Sequence, residues 1–170
     1  MRVFVSYAHV DEPLRERLRT HLSALEREGL ISAWDDREIA GGEDWAIAID
    51  DRLNAADLVL LLVTADFIKS DYCFGIEMKR ALERHADPSD RAIVIPVIAK
   101  RCDWEKSPFA KLQALPSGAR PLAEWKTEDD YYTAVAKGLR QRIGRLSIQS
   151  ATTPWQPPCA IHRVSLNRST

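Results

Sequence analysis

At 170 residues, with 45% hydrophobic and 29% charged side chains, the chain has the size and composition of one globular domain that buries most of its apolar surface without disulfides, and not of a disordered chain. The 24 basic and 25 acidic residues leave a formal charge of −1, so no basic field exists to draw in nucleic acid or an anionic membrane surface. Cys73, Cys102 and Cys159 are odd in number and far apart, and neither they nor the four histidines show metal-ligand spacing, which points to a reducing, cytoplasmic setting.

Arg2 to Ser6 reads as a short buried strand reached directly from Met1, with no room for a signal peptide. The polar link Ser6-Tyr7-Ala8-His9 leads to Asp11, a good helix N-cap with Pro13 in the first turn. Leu14, Leu18, Leu22 and Leu25 then recur at helical spacing, and Gly29 closes the helix. Leu30 to Trp34 is the next strand and runs into Asp35 to Gly42, a charged loop ending in paired glycines. Trp45, Ile49, Leu53 and Ala56 mark a second amphipathic helix. Asp57 to Thr64 is a continuous apolar run, as expected of a central parallel strand covered on both faces, and it is far short of the ~20 residues of a membrane span.

A short polar link separates that strand from a helix over Lys69 to His85. Ala92 to Ile98 is a fourth strand, its end weakened by Pro96. Cys102-Asp103-Trp104 opens an irregular stretch, with a turn of helix around Phe109 to Leu112 and Trp104 as a plug below the sheet edge. Ala119 to Leu122 fits a fifth strand. Thr127 or Asp129 caps a last helix carrying Tyr132, Val135, Ala136, Leu139 and Ile143, with Gly144 as its stop. Ser147 to Thr170, rich in Pro, Ser and Thr, reads as a linker or the truncated start of another domain after a domain spanning 1–146.

Strands alternating with helices predict an α/β fold: a flavodoxin-like three-layer sandwich around a five-stranded parallel sheet. Ligands of such sheets bind beyond the carboxyl ends of the strands, where the strand order reverses. The links after the first and third strands, Ser6 to His9 and Thr64 to Tyr72, converge there. On the helix that follows, Phe74, Met78, Ala81, Leu82 and His85 share one side, and Glu77 sits at the edge of that stripe. A carboxylate there is either a solvated acid on a helix margin or a half-covered one, whose charged form needs a donor or cation to answer it.

These residues resemble a known family. Phe4-Val5-Ser6-Tyr7-Ala8 with Asp11-Glu12 resembles the first-strand motif of Toll/interleukin receptor (TIR) domains of the bacterial type, and Asp35 to Gly42 resembles their loop after the second strand. Asp66 to Cys73 leading to Glu77 is similar to the family's serine, aromatic, cysteine and glutamate segment. Ile95-Pro96-Val97 followed by Cys102-Asp103-Trp104 is similar to the fourth-strand region. The resemblance covers Met1 to about Ile143. It implies the five-stranded fold, cleavage of NAD at the nicotinamide glycosidic bond by Glu77 as catalytic residue, and self-association through TIR domains, with a C-terminal sensor domain or a partner protein as trigger. NAD is then the substrate, with no further cofactor or metal. One departure stands out. The family often places Trp and Cys four and three residues before the glutamate, whereas Tyr72 and Cys73 lie five and four before it, which leaves open whether Tyr72, Cys73 or Phe74 packs on the substrate.

Ser6, Tyr7, Arg37, Trp45, Ser70, Tyr72 and Cys73 are the candidate substrate contacts, several with a structural alternative. Tyr7 either stacks on a ring or packs over the first loop. Arg37 meets a phosphate or pairs locally with Asp35, Asp36 and Glu38. Trp45 is a ligand contact or a helix anchor, and Ser70 binds ribose or caps a helix. His9 is a base or simply solvated. Two other functions compete with NAD cleavage. One is a non-catalytic TIR scaffold; the other is a phosphoacceptor receiver built on Asp66 and Lys126, which lacks the acids that such proteins carry just after the first strand.

Overall fold

The computed structural model describes residues 1–33, 45–90 and 92–151; the side chains of residue 33 and of those at 45–49 and 147–151 lie outside the description. Among the described residues a parallel sheet has the order β2-β1-β3-β4, built from β1 (Arg2–Ser6), β2 (Ser32–Ala33), β3 (Leu58–Val63) and β4 (Ile93–Ile98). This is the flavodoxin-like order for those four strands, so the order reverses between β1 and β3. The helices are α1 (Glu12–Arg27), α2 (Trp45–Ala55), α3 (Ala65–Lys69), α4 (Met78–Ala86) and α5 (Glu128–Ala151).

Successive residues of a strand point to opposite faces, and β3, buried along its whole length, divides its side chains evenly between two cores. Leu58, Leu60 and Leu62 join Val3, Ile95 and Val97 beneath Leu18, Leu22 and Leu25 of α1 and Tyr131 to Ile143 of α5. Val59, Leu61 and Val63 join Phe4, Val94 and Ile98 beneath Leu53 of α2, Phe67 of α3, and Met78 and Ala81 of α4. The layers of helices on both faces are the sandwich expected.

Local signals explain most element ends. Gly29, at φ +70°, ends α1: its N–H bonds Glu26 C=O at 2.9 Å, and the N–H of Leu30 bonds Leu25 C=O at 3.0 Å. That left-handed reversal suits a residue without Cβ. Of the two caps expected for α5, Thr127 is the one used; its hydroxyl accepts the Asp130 N–H at 3.1 Å and donates to the Asp130 carboxylate at 2.8 Å.

Four expectations are corrected. Asp11 precedes α1 but makes no side-chain cap bond, because its carboxylate is engaged elsewhere. The segment after β3 is not a plain link before one helix: α3 comes first, capped by Thr64, whose hydroxyl accepts the Phe67 N–H at 3.0 Å, and the following helix then opens with a π-helical turn, Cys73–Glu77. Gly144 does not stop α5, which runs on to Ala151. Its φ is not positive, and a glycine inside a helix costs only about 1 kcal/mol. Residues 119–122 are not a strand among the described residues; Leu115 instead forms a single parallel bridge with Val97 on the outer side of β4. Pro116 removes the next donor, Gly118 (φ +80°) and Ala119 (φ +52°) leave the extended region, and Pro121 removes another donor. Trp34, the loop from Asp35 to Gly42 and the tail from residue 152 lie outside the described residues.

Pro96 sits inside β4 at no cost to the sheet. Its C=O accepts the Leu115 N–H at 2.8 Å, so its missing donor faces the outer edge and not β3.

Tyr131 and Tyr132 are both fully buried in α5, yet only the Tyr131 hydroxyl is satisfied, donating to Ile98 C=O at 2.8 Å. The Tyr132 hydroxyl has no hydrogen-bond partner among the described residues. Replacing Tyr131 by Phe is expected to cost about 1–2 kcal/mol, since it strands a buried carbonyl, whereas Tyr132→Phe should be neutral or stabilising; urea unfolding of both checks this. Burial, with Glu128 adding to it, pushes Tyr132 up to about 12, and burial raises Tyr131 as well. Unfolded tyrosines ionise near 10, so the native state retains protons that the unfolded state has lost. The stability is intact below about pH 10 and falls as pH rises toward 12, and Tyr132→Phe should flatten that fall.

Candidate functional site

β1 ends with Ser6 pointing to the same face as Phe4, toward α4, and the π-helical turn delivers Glu77 to meet it. The Ser6 hydroxyl donates to Glu77 Oε2, and both residues are buried, Ser6 at 1% and Glu77 at 5% exposure. Glu77 is therefore not on a solvated margin. The pattern of one helix turn placed it at the edge of the apolar stripe, and the covering surface comes from β1, which that pattern does not contain.

Two further hydrogen bonds lock the surrounding turn. The Cys73 thiol donates to Tyr7 C=O at 3.2 Å, and the Cys73 N–H donates to the Ser70 hydroxyl at 3.1 Å, so Ser70 takes the capping role. The Arg15 guanidinium lies 5.2 Å from the centre of the Tyr7 ring, a cation–π contact that packs Tyr7 over the first loop. Phe74 packs edge-to-face on Phe109, with ring centres 6.4 Å apart. Tyr72 is half-buried beside Glu77; burial first and then Glu77 raise its phenol pKa. Burial likewise raises the Cys73 thiol, the Ser70 hydrogen bond opposes it, and Glu77 adds to the rise. Cys73 is thus held as a neutral donor and not as a thiolate nucleophile.

Sequence reasoning missed a second cluster at the same end of the sheet. Asp11, on a 3₁₀ turn (His9–Asp11) after β1, has a fully buried side chain. Its Oδ2 accepts the Thr64 hydroxyl at 2.5 Å and its Oδ1 accepts Lys100 Nζ at 2.6 Å. The signal was present: Asp11, Thr64 and Lys100 each lie in the link that follows one of the strands β1, β3 and β4.

The candidates Ser6, Tyr7, Ser70, Tyr72, Cys73 and Glu77 are thus brought together. Arg37 lies outside the described residues, and of Trp45 only the backbone, at the start of α2, is described. His9 is exposed, and the receiver residues Asp66 and Lys126 are both exposed as well.

The profile of the TIR domain matches residues 3–132, which is most of the chain. The chain belongs to the TIR-domain family. A bacterial relative, the uncharacterized protein y4lF of Sinorhizobium fredii, is 49% identical over 152 residues, covering 89% of this chain and 46% of the relative. The chain therefore spans less than half the length of that protein. The fold is similar to the TIR domain of the Toll-related receptor TRR-2 from Hydra magnipapillata, at a TM-score of 0.57 and 20% identity over 84% of this chain and 97% of that one.

In this TIR domain the turn that leads to Glu77 is π-helical. The Glu77 N–H reaches back five residues to Tyr72 C=O at 3.1 Å, and Met78 N–H reaches back five to Cys73 C=O. One extra residue is housed in that wider turn, whereas in a regular α-helix it would rotate Glu77 by ~100° away from Ser6.

Removing the carboxylate strands a buried hydroxyl. Glu77→Ala should cost about 1–3 kcal/mol in denaturant unfolding, and Glu77→Gln, which keeps an acceptor, clearly less. Equal and negligible costs for the two would show that the Ser6 bond does not hold the turn.

Proposed function

We propose that this TIR domain cleaves NAD at the bond between nicotinamide and ribose, with Glu77 as the catalytic carboxylate. The observation that carries the reading is the burial of Glu77 at the carboxyl end of β1, hydrogen-bonded to Ser6, beside the point where the strand order reverses. The family resemblance supports the choice of substrate.

The chemistry suits one carboxylate. Nicotinamide leaves as a neutral molecule from a cationic pyridinium, so no acid is required to protonate it. Positive charge develops on the ribose instead. A carboxylate fixed in a water-poor site interacts with that charge far more strongly than one in bulk solvent, and it needs no reorganisation when the charge appears. Ser6 contributes by holding the carboxylate in one orientation. Cys73 and Ser70 contribute by holding the turn, and the ring of Tyr72, beside Glu77, offers a face to the substrate. Exclusion of water then decides between hydrolysis and attack by another group of the same molecule.

The greater length of the bacterial relative supports reading the domain as the effector part of a larger defence or signalling protein, in which self-association raises activity. A scaffold reading rests on a different observation. Val10 and Ile76, at 64% and 56% exposure, are the large hydrophobic residues left exposed among those described, and they lie on the 3₁₀ turn after β1 and next to Glu77. Such residues suit contact with another copy.

Incubation of the purified protein with NAD, followed by assay of free nicotinamide, separates the two. Glu77→Gln should lower release by at least about a hundredfold while the protein stays folded. Release per molecule should also rise with protein concentration. Wild-type turnover in the Gln variant would overturn the assignment of Glu77. Self-association with no nicotinamide released at any concentration would favour the scaffold.

A further inference from the structure

The three links that leave β1, β3 and β4 at their carboxyl ends meet at one carboxylate. Taking a carboxylate fully out of water is costly unless it is paired and hydrogen-bonded, and here both oxygens of Asp11 are answered, by Thr64 and by Lys100. Helix capping would not require this, since a surface N-cap needs neither burial nor a counterion, and Asp11 forms no cap bond. Thr64 is itself fixed at 0% exposure and spends its acceptor capacity on the first turn of α3. Lys100 keeps its side chain about half exposed, 48%, with its ammonium turned inward to Asp11.

The loop from Ser6 to Asp11 is thereby held at both ends. At one end the Ser6 hydroxyl and the Tyr7 carbonyl bond Glu77 and Cys73. At the other, Asp11 is anchored to Thr64 and Lys100 in the links that follow β3 and β4, and its N–H closes the turn onto Ala8 C=O at 2.7 Å. We propose that Asp11 is a positioning residue for the Glu77 site: with Thr64 and Lys100 it fixes the loop after β1, so that Ser6 and Tyr7 hold the π-helical turn and its carboxylate in place. The catalytic half of this inference rests on the reading of Glu77 given above; the mechanical half does not.

Cys73 reports on the mechanical half. Its thiol is buried and tied to the Tyr7 carbonyl, so a small thiol reagent reaches it only when the loop moves. The test uses the full chain with Cys102 and Cys159 replaced by Ser, and adds Asp11→Asn, Lys100→Met or Lys100→Arg. Three quantities are read: the rate of Cys73 labelling under native conditions, unfolding stability, and kcat and KM for nicotinamide release. Asp11→Asn and Lys100→Met should speed labelling by about tenfold or more beyond what their loss of global stability predicts, and lower kcat by about tenfold with KM little changed, as expected for misplaced catalytic groups. Lys100→Arg should restore both toward the parent.

Labelling that is unchanged, or that rises only in step with global unfolding, overturns the proposal. If Asp11→Asn does not fold, Lys100→Met and its Arg rescue decide the matter. If the parent releases no nicotinamide, the NAD reading fails by itself, and the labelling rates still confirm or refute the clamp.

Discussion

In a parallel sheet covered on both faces, a side chain's parity along its strand decides which of two cores it enters, and in this protein that parity also decides what can reach Glu77. Phe4 and Ser6 share a parity, so the strand that buries Phe4 under α4 must present Ser6 to the same helix layer. Val3 and Val5 pack on the opposite side, with α1 and α5. A one-residue shift in the pairing of β1 with β3, where Phe4 lies opposite Val59, would send Ser6 to the wrong face. The register is held by the long row of buried aliphatic residues in β3, which no single substitution near the site replaces. The hydrogen bond to the carboxylate is thus a consequence of hydrophobic packing several residues away.

Two buried carboxylates at one end of a sheet carry a charge problem, and each is met by hydrogen-bond donors. Asp11 is given a formal cation, Lys100, as well as a hydroxyl, and it faces the interior. Glu77 is given the Ser6 hydroxyl in a turn edged by a neutral thiol and a half-buried tyrosine. A carboxylate already locked to a lysine has little left for a further cation.

Much of the fold was legible because single residues carried one message. The apolar run of β3, the leucine spacing of α1 and the glycine after it each had one physical solution. Gly29 and Gly144 show where that stops. Both follow a helical pattern, but after Gly29 the chain must reverse into β2, and the left-handed bend is stabilised by the two bonds it allows; after Gly144 nothing demands a reversal, and the helix continues. The expected strand at 119–122 failed because its apolar content outweighed, on paper, two prolines and a glycine that remove donors and extension. Glu77 could be singled out in the sequence, but its burial could not, since it depends on a strand about 70 residues away in sequence. The partners of Asp11 were hidden for the same reason: the local pattern offered a cap, and the bonds made lie far away in sequence.

The outer edge of β4 has a consequence for how copies of the domain can join. A free sheet edge is a template onto which another chain can add a strand, and proteins blunt such edges with prolines, short strands or covering loops. Here Pro96 removes an edge donor, and the backbone of Leu115 takes up the groups on either side of Val97 before Pro116 ends the pairing. A sheet closed off in this way does not grow by adding strands along this edge. Copies that meet on this side must do so through side chains and loops, contacts that can form and dissolve with concentration, and not through a continuous cross-β ladder that would be hard to undo.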